Sequence, residues 1–152
     1  MPKVSIVLPC YKVEKFLPFC LDSLINQTEK DFEVICVDDG SPDNSGQILE
    51  EYAAKDSRFK VIHQQNGGLS VARNSGIAQI SAPYTLFVDS DDALHPQTVE
   101  LTLKTAEKTK ADIVWFDVLS FSQNTELSFP PPTIRPHSPN KTLSGASDLV
   151  RS

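Results

Sequence analysis

Long apolar runs are missing from this chain of 152 residues. Nothing in it approaches the roughly 20 consecutive apolar residues that a membrane-spanning helix needs. The start, Met1-Pro2-Lys3, leads straight into a strand-like segment without the apolar region and cleavage site of a signal peptide. Cysteine is scarce and unpaired. Cys10, Cys20 and Cys36 are odd in number, sit in apolar surroundings and show no C-x-x-C spacing, which predicts reduced core thiols in a cytoplasmic protein and no zinc site. Positive charge is in deficit, with 14 Lys and Arg against 20 Asp and Glu for a formal net charge of −6. That balance argues against a nucleic-acid backbone as partner. Neither G-x-x-x-x-G-K-[ST] nor G-x-G-x-x-G occurs, so phosphate-loop and dinucleotide-cofactor readings have no support.

What is present is an ordinary globular composition, 39% hydrophobic and 22% charged, enough for one domain with a sizeable core. The β-branched run Val4-Ser5-Ile6-Val7-Leu8 predicts a first strand. Phe16, Leu17, Phe19, Cys20, Leu21, Leu24 and Ile25 recur at helical spacing and predict a helix over 13–26. Strands follow at 32–37, 59–62 and 84–88, and a fifth is predicted over 112–116 with an extension to Phe121. Helices are expected after Ser41 or Asp43 as cap, over 69–79, and from a first turn containing Pro96 to Lys108. Alternating strands and helices predict an α/β domain, a mainly parallel central sheet with helices on both faces. Residues 1–121 are assigned to that domain. Residues 122–152, with Pro130-Pro131-Pro132, Pro136 and Pro139, read as a Pro-rich extended tail, with a further helix beginning near Thr142.

Ligands of such sheets bind beyond the carboxyl ends of the strands, and the unusual residues of this chain all follow strands. Asp89-Ser90-Asp91-Asp92 crowds three carboxylates into four residues. Like charges at that spacing call for a cation or polar partners, and hard divalent cations enter such sites together with substrate phosphates. A solvated turn capping the next helix is the alternative. Asp38-Asp39 can accept from a ligand N–H or simply close a turn. Tyr11 offers a ring for a base to stack on, or is a plain rim aromatic. Gly67-Gly68 places backbone N–H groups at a helix start, with Arg73 about one turn in; Arg73 is otherwise a surface residue or an ion-pair partner for an acidic cluster. His95 reads as a helix-flanking surface histidine, His63 as a single histidine without a role, and Trp115 as core.

The ordered motifs Val4-Ser5-Ile6-Val7-Leu8-Pro9-Cys10-Tyr11, Val37-Asp38-Asp39-Gly40-Ser41, Gly67-Gly68-Leu69-Ser70-Val71-Ala72-Arg73-Asn74 and Phe87-Val88-Asp89-Ser90-Asp91-Asp92 resemble glycosyltransferase family 2. The resemblance covers about residues 3 to 116 and implies a Rossmann-like GT-A domain that binds a nucleotide-sugar. It implies that Pro9, Tyr11 and Asp39 line a uracil pocket, Asp38 supports its loop, and Gly68, Arg73, Asp89 and Ser90 belong to the nucleotide site. Asp91 would ligate Mn²⁺ or Mg²⁺, with Asp92 assisting. Lys12 stands where the family more often has Asn. The implied reaction is transfer from a UDP-sugar to a hydroxyl of a glycan or lipid-linked glycan, with inversion, in bacterial surface polysaccharide synthesis. Its expected setting is the cytoplasm or the inner face of the cytoplasmic membrane. The family's general base is an acidic residue well downstream, commonly in a Glu-Asp pair that this chain lacks, so a chain truncated before its base is expected. Two alternatives stand beside this reading. One is a catalytically silent nucleotide-binding fragment. The other is a haloacid-dehalogenase-like phosphatase with Asp89 as nucleophile, which Ala93 and the late position of the motif disfavour.

Overall fold

The computed structural model describes residues 1–116 and 118. The apolar run of the first strand becomes β1 (Val4–Cys10), and the following elements are α1 (Leu17–Ile25), β2 (Phe32–Asp38), α2 (Ser45–Lys55), β3 (Phe59–His63), α3 (Leu69–Ile77), β4 (Tyr84–Phe87) and α4 (Thr98–Thr109). The strands form one sheet in the order β3-β2-β1-β4, and every neighbouring pair is parallel. β1 and β2 are buried along their whole length, which is why they read as unbroken apolar runs rather than alternating ones. The outer strands β3 and β4 are only partly covered.

Helices occupy both faces. Ile6, Leu8, Val34 and Cys36 face α1, α2 and α4, where Leu17, Leu21, Leu24, Leu49, Val99 and Leu103 complete the larger core. Ile35 and Val37 pack on the other face against Ala72 of α3. Gly76 lowers helix propensity by roughly 1 kcal/mol against Ala, yet α3 needs it. A Cβ there would lie 2.5 Å from Val7 Cγ1, so the helix sits on the sheet only because that atom is absent. The three cysteines are free and buried, and burial pushes the Cys10 thiol up to about 12.

Several boundaries differ from the sequence expectation. α1 starts at Leu17, not Val13: the N–H groups of Phe16 and Leu17 close a turn on the Val13 carbonyl, and Pro18 takes the first helical turn, where its missing N–H costs nothing. At α2, Asp43 rather than Ser41 serves the helix start, its Oδ1 accepting from Ser45 N–H at 3.1 Å. Pro96 lies just ahead of α4 in a turn closed by Thr98 N–H on the His95 carbonyl. Residues 112–116 form no strand. Ile113 and Trp115 stand exposed, Trp115 by 63%, because no described strand pairs with β4 there to carry them inward; the expected core role of Trp115 is thus corrected. The proposed extension to Phe121, the tail over 122–152 and the helix near Thr142 lie outside the described residues. No helix among the described residues is long and apolar enough to cross a membrane.

Candidate nucleotide and metal site

Parallel strands end together, and the register fixes how. Cys10 pairs with Asp38, and Asp38 with His63, so the ends of β1, β2 and β3 stand side by side. β4 pairs with β1 up to Val7↔Phe87, and Val88 N–H continues to the Val7 carbonyl at 3.1 Å. The segments after all four strands therefore share one rim.

Asp39 is the most tightly held group on it. Only 2% exposed, its Oδ1 accepts from the Gln64 amide at 2.7 Å and Gly67 N–H at 2.9 Å, and its Oδ2 from Gly68 N–H at 2.8 Å. Burial works against its charge, but the donors at Gly67, Gln64 and Gly68 outweigh it and hold the carboxyl below its ordinary value. Gly68 has φ of +85°, a left-handed backbone that suits glycine and lets two successive N–H groups turn toward the carboxylate. Asp39 thus pins the start of α3, a duty that motif reading alone did not disclose.

From there α3 reaches the acidic turn. Arg73, five residues and about 7.5 Å of helix beyond Gly68, places Nη2 2.8 Å from Asp89 Oδ1. Of the readings open for Arg73, the ion pair with an acidic cluster is the one observed. The acidic turn is tied from beneath: the Cys20 thiol approaches the Asp89 carbonyl at 3.8 Å, Leu94 N–H donates to Ser23 Oγ at 3.1 Å, and Ser90 is buried. One helix therefore joins Asp39 to the carboxylate of Asp89, and those two acids share a single rim.

Asp38 supports rather than faces solvent. It is 7% exposed; its Oδ1 takes Ser41 N–H at 3.0 Å and its Oδ2 faces His63 Nδ1 at 3.0 Å. Pro9 is buried in β1 beside Val37, whereas Tyr11 is 43% exposed, open for stacking, with Lys12 Nζ 5.1 Å from its ring centre. Lys12 has φ of +56°. Asn tolerates that region better than Lys, which accounts for the family's more usual Asn at this place.

Asp91 and Asp92 are exposed, and among the described residues no cation or hydrogen-bond donor engages either side chain. Partial burial and the neighbouring Asp91 and Asp89 charges push Asp92 above its ordinary value. Two hard-oxygen donors under mutual repulsion fit a divalent cation. No group of three His, Cys, Asp or Glu side chains forms a ready cage among the described residues, so the fit is to a cation that takes its other ligands from a bound phosphate and water.

Residues 5–148 match the family described as Glycosyl transferase family 2. The chain is 45% identical over 131 residues to the glycosyltransferase EpsJ of Bacillus subtilis, covering 86% of this chain and 38% of that protein. It is 40% identical over 115 residues to the poly(ribitol-phosphate) beta-glucosyltransferase of Bacillus spizizenii, covering 73% of this chain and 18% of that one. Its fold matches the crystal structure of S. aureus TarS 1-349 in complex with UDP-GlcNAc with a TM-score of 0.69 and 35% identity, over 72% of this chain and 32% of that one. The chain thus spans well under half of these relatives. The phosphatase alternative falls with these matches. Sheet order, rim and relatives agree on a GT-A domain, and the chain belongs to glycosyl transferase family 2.

Proposed function

We propose that this chain is the donor-binding part of a glycosyltransferase that moves a sugar from a UDP-sugar to an acceptor hydroxyl with inversion, in bacterial cell-surface polysaccharide synthesis. The observation that carries the reading is the span made by α3, with Gly67 and Gly68 on Asp39 at one end and Arg73 on Asp89 at the other. A nucleoside diphosphate laid along that helix reaches from a base pocket to a cation site. The UDP-GlcNAc complex of TarS, 35% identical, supports uridine as the base.

In this reading the base stacks on Tyr11 with Pro9 behind it. Its single ring N–H meets the remaining lone pair of Asp39, which the loop donors keep ionised. Asp38 supports the loop, Gly68 leaves room at the helix start, and Ser90 sets the turn that presents Asp89 to the ribose. Arg73 exchanges part of its contact with Asp89 for nucleotide oxygens, a charge-assisted bond of the stronger kind. Asp91, with Asp92, holds Mn²⁺ or Mg²⁺, which when bound supplies Lewis-acid stabilisation of the departing diphosphate. The general base that takes the acceptor proton is placed outside the described residues, and the acceptor is a glycan or lipid-linked glycan met at the inner membrane face.

The test is thermal. UDP raises the melting temperature slightly alone and several degrees with Mn²⁺, because a ligand bound only by the folded state stabilises it by mass action. No shift with UDP and Mn²⁺ together would refute the reading.

A further inference from the structure

His63, given no role by its sequence context, stands at the end of β3 between two carboxylates. Its Nδ1 lies 3.0 Å from Asp38 Oδ2 on β2 and its Nε2 2.8 Å from Glu50 Oε1 on α2. A neutral imidazole has one N–H and can donate to only one of them; both contacts together require the imidazolium. Asp38 needs that charge. Asp38 and Asp39 are adjacent and buried, 7% and 2% exposed, and the donors on Asp39 are all neutral. Among the described residues, His63 is the cation paired with Asp38.

The same strand end reaches the base pocket by two routes. Through Asp38, the ring's charge holds Ser41 N–H at 3.0 Å, and Ser41 Oγ accepts Lys12 N–H at 3.3 Å, next to Tyr11. Through the next residue, Gln64 donates its N–H to the Asp38 carbonyl at 3.0 Å and its amide to Asp39 Oδ1 at 2.7 Å. Loss of the ring proton leaves neighbouring buried carboxylates without counter-charge, and the loops carrying Tyr11 and Asp39 bear the adjustment.

We infer that His63 is a positioning residue for the donor nucleotide: as an imidazolium bridging Asp38 and Glu50 it fixes the wall behind the base pocket, so nucleotide affinity falls when the ring is deprotonated. This rests on the nucleotide reading of the site. The charged groups facing the ring are Glu50 and Asp38; in that order they hold its proton above the ordinary histidine range. The favourable state is therefore full at acidic pH and is lost as pH rises through the raised value.

Calorimetric titration of UDP with Mn²⁺ between about pH 5 and about pH 8 tests the inference. The native chain should weaken by about fivefold across the window, the low end of couplings between linked sites. His63→Gln should start weak and lose that dependence. Glu50→Gln, changed at a side chain more than half exposed, keeps the test open if His63→Gln does not fold; it should move the midpoint toward acid, and the His63 ring signal in NMR should move with it. A His63→Gln or Glu50→Gln profile parallel to the native one overturns the inference and leaves the nucleotide reading standing. No UDP binding by the native chain at any pH overturns both.

Discussion

A lone carboxylate and an acidic cluster lie at opposite ends of the same sheet and have opposite characters. At the amino end, Glu33 is 4% exposed and fully engaged: Oε1 accepts from Ser5 Oγ and Ser81 Oγ at 2.7 Å each and Ser81 N–H at 2.9 Å, and Oε2 takes Lys60 Nζ at 2.7 Å. Its burial is outweighed by Lys60, Ser81 and Ser5, which bring the carboxyl down to about 2. At the carboxyl end, Asp91 and Asp92 have no such donors among the described residues, and Asp92 is pushed up. A carboxylate satisfied from within serves the fold. One left crowded and open is available to a ligand, and perturbed groups of that kind gather at functional sites.

Three substitutions sharpen that contrast, beginning with the largest effect. Glu33→Ala strands the fully buried Ser5 hydroxyl and takes the shared acceptor from Ser81 and Lys60, and should cost about 2 kcal/mol, read by urea unfolding. Nucleotide affinity at the far rim should hardly change. Because the Glu33 carboxyl is depressed in the fold, its contribution is present above the unfolded value near 4.5 and disappears as pH falls toward about 2. The variant and the native protein should therefore converge in acid; a constant gap between their stabilities at every pH would deny the ionic part of the network.

Asp91→Ala reverses the pattern. It should leave unfolding stability nearly untouched and weaken Mn²⁺-dependent UDP binding at least about tenfold, roughly 1.4 kcal/mol. Calorimetry with and without metal separates the two effects, and unchanged affinity would remove Asp91 from the cation site.

Asp92→Asn is the smallest change. Since partial burial and the neighbouring Asp91 and Asp89 charges raise this carboxyl, its ionised form is a burden to the metal-free fold above its raised value. Removing the charge should stabilise that state slightly, within the ~0.5 kcal/mol usual at surfaces. The gain should vanish when Mn²⁺ and UDP are present; a gain unaffected by them would show that no cation relieves the repulsion.

Much of the rim was legible in the chain because parallel α/β architecture puts the ends of strands together whatever their exact length. Tyr11, Asp38, Asp39, Gly67, Gly68 and the acidic turn could be placed on one edge because each follows a strand. The fifth strand was a misreading of the same kind of evidence. Residues 112–116 are apolar enough to look like a strand, but a strand exists only where it pairs with a neighbour, and this segment pairs with none of the described strands.

Local chemistry settled what the chain could settle. The apolar runs made β1 and β2 the centre of the sheet, helical spacing set the faces of α1 and α4, and the motif residues fixed the family. Pairings distant in sequence were decided only by the fold: His63 between Asp38 and Glu50, Gln64 and two glycine N–H groups on Asp39, Arg73 on Asp89, Glu33 on Ser5 and Ser81. Each depends on register and on how closely a helix settles on the sheet. Hydrogen bonds are short-ranged and directional, so partners far apart along the chain acquire their roles only once the strands are aligned.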